Sequence, residues 1–349
     1  MPTTADSLRL AISLETGQGT LPATPAFYIF RTTGEGLSYE ITSTISDEMV
    51  AESRGVADSI LTGATVTGEL NFELADFDAF ELAVTSMLAS DWADDPRSSG
   101  AAYPANIGTD SVIYDSLDQK TFTIEKRFTA IPIDGASETL VYQLFDGCTV
   151  DTFSLSVTPN EIITGSFGFI GMEMTTPATE TGTTYVGSGV SPVMTAPLVT
   201  AIELLTYTED GTEGAPVSWL SGSCFMGVDI SVNNNGRGLV CIGVLGNVAT
   251  SLGRFEVSLS GSLYYTGDEV LDALIDQTQY QFRITLEDSE GNSYFMFFPR
   301  VKFATATALA SGTNTDVMVD FTMNALVDGF RNATMFIERT PGVYDNPPA

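Results

Sequence analysis

Histidine is absent from all 349 residues. That removes the Ser-His and Cys-His nucleophile pairings and the usual imidazole ligands of transition metals. Cysteine is scarce: Cys148, Cys224 and Cys241 lie in strand-like text with no CxxC spacing. Three isolated thiols point to buried free cysteines, not to a disulfide framework or a zinc site. Basic residues are few, 14 Lys and Arg against 45 Asp and Glu, for a formal charge of -31. A duplex-binding protein needs clustered cations to neutralise phosphates, so this chain repels DNA. No apolar run approaches the roughly 18 residues of a membrane span. The opening residues have neither a basic n-region nor an apolar h-region, so no secretory signal is expected. No GxGxxG, Walker loop or GxSxG is present.

What the chain has in quantity is alternation. From Lys120 to Met172, apolar residues recur at every second position: Phe122 and Ile124, then Val141 and Phe145, Val150, Phe153, Leu155 and Val157, and finally Ile163, Phe167 and Phe169. Turn chemistry at Ile131–Gly135, Asp146-Gly147 and Thr158–Glu161 separates the runs, which is the pattern of an antiparallel meander. Further upstream, Leu8, Leu10 and Ile12 alternate once before a Gly- and Pro-rich arm, and Ala26–Phe30 is a short strand candidate. Val66, Gly68, Leu70 and Phe72 form another strand. Phe77, Phe80, Val84, Met87 and Leu88 then fall at helical spacing, with Asp76 or Asp78 available as a cap. Residues 89–117 are turn-rich, with Trp92 as a possible anchor.

Residues 173–197 are rich in Thr, Ser, Gly and Pro and read as a linker. Beyond them the pattern returns. Thr65–Leu70 is echoed by Ser258–Leu263, and the helix by Glu269–Ile275. Tyr142–Phe145 is echoed by Tyr294–Phe297, and the strand around Phe167 and Phe169 by Val317, Val319 and Phe321. Helix and strands recurring in one order predict a tandem duplication. The units are a first β-domain over 1–175, a linker over 176–197 and a second β-domain over 198–349. Asp288–Asn292 lacks the acidic ladder of an EF-hand and is predicted to be a hairpin turn. The tail from Ala325 to Ala349 is expected to fray or to dock on a neighbour.

The residues quoted carry a family resemblance. FTIEKRFTA, the YxLFDGCTVDTFSLSV run and PNEIITGSFGFIGM, preceded by GELNFEL with its helix and Trp92, resemble the tail tube proteins of long-tailed (siphovirus-type) bacteriophages. Asp229–Asn234 and Phe298–Lys302 follow in the same order, so the resemblance spans about residues 10–330.

The resemblance implies a mainly β fold: tandem tail-tube sandwich or barrel domains, each with one short α-helix, giving sheets to a closed inner β-barrel. It implies a non-catalytic virion protein without cofactor or metal. The subunit would polymerise as stacked rings into the hollow conduit for genome ejection, assembled in the bacterial cytoplasm. Such tubes close around six β-domains. Two per chain then imply trimeric, pseudo-hexameric rings, the alternative being six chains with the second copy outside. Partners by resemblance are other copies of the chain, tape measure protein and genomic DNA in the bore without specific DNA binding, tail terminator and tail-tip proteins, and no membrane. The family's ring-to-ring loop corresponds to residues 44–58, with Asp47, Glu48, Met49, Glu52 and Arg54 as contact candidates. In the second copy that place falls to Asn233, Asn234, Asn235 and Arg237, in what reads as a shorter loop. The competing classes are another virion β-protein (tail-tip, distal tail or capsid decoration) and an adhesin or binding module, which should carry a secretory signal.

Overall fold

The computed structural model describes residues 3–48, 54–93, 112–130, 139–220, 225–265, 267–310, 312–313 and 315–341. It is mainly β, with one main sheet that curls into half a barrel. The first part of the chain gives β1 (Thr3–Leu14), β2 (Ala26–Ile29), β3 (Gly34–Glu35), β4 (Ser38–Ile45), β5 (Ser59–Glu73), α1 (Asp78–Met87), β6 (Val112–Tyr114), β7 (Phe122–Ala130), β8 (Thr139–Val157) and β9 (Thr164–Gly171). Then come β10 (Glu173–Thr175), β11 (Thr184–Val186), β12 (Ala201–Thr206), β13 (Phe225–Asn233), β14 (Arg237–Val240), β15 (Asn247–Ser251) and β16 (Glu256–Tyr264). The last elements are α2 (Glu269–Ile275), β17 (Gln279–Glu287), β18 (Ser293–Leu309), β19 (Met318–Ala325) and β20 (Phe336–Thr340).

One pairing pattern occurs twice. In the first half β5 pairs with β9, β9 with β8, β8 with β7 and β7 with β1. In the second half β16 pairs with β19, β19 with β18, β18 with β17 and β17 with β12. Each half sends one helix across between its first strand and the next, and each has a hairpin partner for that first strand, β4 for β5 and β13 for β16. The two halves share one core: Phe72 stacks on Phe153 and Phe167 and meets Phe80 edge-on, and Tyr294 of the second half closes on Phe80 at 5.2 Å between ring centroids.

Several sequence expectations are corrected. Asp146-Gly147 is no turn but the middle of β8, a continuous strand. Gly147 has φ +64 there, and its N–H is held by the buried Glu15 carboxylate at 2.9 Å, so the strand bends at a bulge and carries on. Pro299 sits at the matching irregularity of β18, where the register slips between Tyr280 and Phe282 of β17. Neither Asp76 nor Asp78 caps α1; the N-cap is Phe77, without a side-chain bond. Asp76 is instead occupied by Arg339 and Tyr294, while Asp78 and Glu81 sit in the first turn, where the helix dipole favours carboxylates. The 173–197 stretch is tied down by β10 on β8 and by β11 parallel to β2. The tail docks within its own chain as far as described, with β20 between β18 and β6. Cys148 is buried, but Cys241 is exposed on the β14–β15 excursion beside exposed Ile242, and Cys224 lies outside the described residues. The Ile131–Gly135 turn likewise lies outside them. Asp288 does form the hairpin turn between β17 and β18, its Oδ1 accepting from the N–H groups of Glu290 and Asn292 at 2.8 and 3.0 Å.

The correspondence between the two halves reaches single glycines. A Cβ on Gly68, whose φ is +149, would lie 2.4 Å from the Gly36 carbonyl oxygen, and one on Gly261 would lie 2.5 Å from that of Gly227. At both places the hairpin strand crosses its partner too closely for any side chain. Gly68→Ala is therefore expected to destabilise the fold by about 2–4 kcal/mol, with a smaller loss for Gly261→Ala, whose φ is not in the left-handed range. Urea titration of each variant checks this; a Gly63→Ala control, whose Cβ meets nothing closer than 3.9 Å, should cost little.

Candidate assembly interface

Following hydrogen bonds from strand to strand gives the order β4, β5, β9, β8, β13, β16, β19, β18, every step antiparallel. Inside this ribbon the halves join through β8 and β13, in the register Val228 with Val157, Ile230 with Leu155 and Val232 with Phe153. All six side chains point to the buried side.

The opposite face is polar. It is lined by hydroxyls, which pair across strands at Ser154–Ser166 (2.9 Å) and Thr305–Thr322 (2.7 Å). Such cross-strand pairs satisfy groups on a face that has no core to pack against. Its carboxylates are Glu40, Glu69, Glu73, Asp229, Glu256 and Asp320. Among the described residues the nearby cations are Lys302, in register with Asn324, and Arg254, 3.5 Å from Glu256.

Two outer edges remain. Among the described residues β4 pairs with β5 on one side only, and β18 beyond Lys302 pairs with β19 only. An edge strand is a row of unpaired amide and carbonyl groups that invites another strand.

Two hairpins project from one end of the ribbon, because β4 and β13 are separated by an even number of antiparallel steps and run the same way. The β4–β5 ladder continues through Ser43–Leu61, Thr44–Ile60 and Ile45–Ser59, where Ile45, Ile60 and Leu61 are all exposed. Asp47, Glu48 and Arg54 are exposed at its tip; Met49 and Glu52 lie outside the described residues. The second connection is not shorter, as the sequence suggested, but longer. Residues 234–255 contain their own hairpin, β14–β15, which folds back on the first half through Ala64 N–H to Leu245 O (3.0 Å) and Asn247 Nδ2 to Gly171 O (2.8 Å). Asn233, Asn235 and Arg237 are exposed, but Asn234 is buried. Its amide donates to Met87 O at 2.9 Å and Val150 O at 3.0 Å, so it fastens the loop to α1 and β8. The sequence reading missed the open edge of β18: the Ala-Thr alternation of residues 304–308 marks a strand but not whether its edge is paired.

An ionic lock ties the two halves together. Arg339 of β20 donates twice to Asp76, at 2.9 Å each, and lies 2.6 Å from Glu81, while the Tyr294 hydroxyl donates to Asp76 at 3.1 Å. Burial pushes the Glu81 carboxyl up to about 7; the Arg339 charge opposes this, and Asp76 and Asp78 add to it.

A sheet with one polar face, an apolar back packed against helices and two open edges among the described residues is the form of a structural subunit. Residues 6–325 match the family of phage tail tube proteins, and the chain belongs to that family. It is a structural protein of the virion tail, from a family that is normally non-catalytic and assembles into a tube with other tail proteins. A comparison with the curated proteins gives no match. No helix among the described residues is long and apolar enough to cross a membrane.

The lock gives a pH prediction. A carboxyl raised from 4.5 to about 7 favours the folded state in acid; the contribution is whole below 4.5 and is lost as pH rises to about 7. Its upper bound is about 3 kcal/mol. Thermal melts between pH 4.5 and 7.5 should therefore show wild type losing stability relative to Glu81→Gln; parallel curves would remove Glu81 from the account.

Proposed function

We propose that the protein is the major tail tube subunit, polymerising as stacked rings into the conduit through which the genome leaves. The observation that carries this reading is the twofold occurrence of one four-stranded wall segment in a single curled sheet. With two segments per chain, three chains supply the six that such a tube closes around, in pseudo-six-fold order. The units are the two β-domains over 1–175 and 198–349, with 176–197 running between them. A ring of six chains with the second domain outside is less favoured, because β13 and β16 stand in line with β5 and β9 in the same wall.

In this reading the polar face lines the bore. Its hydroxyls and carboxylates offer DNA no counterion release and so little adhesion. The tape measure protein occupies the bore before the genome does, and terminator and tail-tip proteins close the two ends. The projecting β4–β5 hairpin, with Asp47, Glu48, Met49, Glu52 and Arg54 at its end, reaches the next ring. Asn233, Asn235 and Arg237 contribute from the second, folded-back connection, so the two halves make different contacts.

Negative-stain images of the purified protein should show hollow tubes; persistent monomers would count against the reading and favour a decoration role. Deleting residues 46–56 should leave a soluble, folded chain that does not polymerise, judged by circular dichroism and sedimentation. Normal tubes from that deletion would remove the hairpin from the ring-to-ring contact. Replacing Glu40, Asp229 and Asp320 with Lys should yield tubes that retain DNA at low salt, where wild-type tubes release it.

A further inference from the structure

We infer that the internal β8–β13 junction is the template for the junction between chains, and that the open edge of β18 pairs with β4 of the next copy in a defined register. The inference rests on the tube reading above and specifies the surface that closes its ring.

The two halves correspond strand for strand. β4 stands to β5 as β13 stands to β16: Gly36 crosses Gly68 as Gly227 crosses Gly261. On that anchor Tyr39, paired with Val66, matches Ile230, paired with Leu259, and Ile41, paired with Ala64, matches Val232, paired with Val257. The long strands match too. On one side β8 carries β7 and then β13; on the same side β18 carries β17 as far as Lys302 and then, among the described residues, nothing. The missing neighbour of β18 is the counterpart of β13, which is β4.

The rows of the sheet give the register. In the first half a row runs Leu70, Phe167, Phe153 and ends on Val232. In the second half the matching row runs Leu263, Val319, Ala308 and stops at the edge. The residue that continues it is the counterpart of Val232, namely Ile41 of the neighbouring chain, with Tyr39 facing Ala310 one pleat further on.

Exposure supports the assignment. Ile230 and Val232 are 0% and 1% exposed because β8 and its half cover them, whereas Ile41, on the same side of its strand, is 54% exposed. It is an apolar side chain aimed at a core that this chain does not complete. The seam differs from its template in size: Phe153, Leu155 and Val157 line the internal one, Ala308 and Ala310 the outer one. Less apolar area is buried between chains than within one, which leaves the free subunit soluble and the ring dependent on closure.

Disulfide trapping tests this. In a Cys241→Ser background, Ile41→Cys with Ala308→Cys in one chain should, after polymerisation and mild oxidation, run as covalent trimers on a denaturing gel without reductant, with dimers as intermediates and nothing larger. Tyr39→Cys with Ala310→Cys is a second pair at the next inward position, should the first fail to fold. Each single variant should stay monomeric. Tubes that form while both pairs remain monomeric would overturn the edge assignment and leave the tube reading standing. Trapping by Ile41→Cys with Ala306→Cys in place of Ala308→Cys would overturn the register. A ladder reaching six chains would overturn the three-chain ring. Failure of the wild-type chain to make tubes at all would strike the tube reading itself.

Discussion

Every backbone amide and carbonyl in a sheet must find a partner, and a strand at an edge has half of them unmet. In this protein that constraint organises the rest. Inside the chain it is met where β13 lies along β8, joining two halves into one wall. Among the described residues it is not met at the ends of the sheet, and the two strands left open there are the counterparts of the two that join inside.

The remaining features serve that wall. β8 and β18 are long because each belongs to two layers: its first part pairs with β7 or β17 over the helix, its last part lies in the wall. Bulges at Gly147 and beside Pro299 turn the strand from one layer into the other without ending it. The aromatic cluster around Phe72, Phe80 and Phe167 packs the core beneath them, and Arg339 ties β20 to Asp76 beside α1. With no histidine in the chain and few cations near it among the described residues, the polar face presents hydroxyls and carboxylates.

Much of this was legible in the sequence, for physical reasons. Period-2 alternation marked the strands, period-3.6 spacing marked α1 and α2, and the repeat of Gly68 in Gly261 marked the recurring strand crossing, because a side chain is not tolerated there. Other features depended on tertiary partners that local text does not carry. Asp-Gly reads as a turn unless a buried carboxylate, here Glu15, holds the glycine N–H in mid-strand. Asp76 reads as a helix cap unless an arginine 263 residues away claims it. Of the candidate contact residues, Asn234 resembles its exposed neighbours in sequence and differs only because α1 and β8 offer it carbonyls. The β18 edge was hidden because Ala-Thr alternation is the same whether or not a neighbour completes the sheet.

The central claim, one chain supplying two of six wall segments, is tested most directly by cryo-EM of the assembled tube. The account predicts three chains per ring, the β4 strand of each beside the β18 strand of the next, and the strands of both halves alternating around the bore. Six chains per ring, with residues 198–349 standing outside the wall, would contradict it.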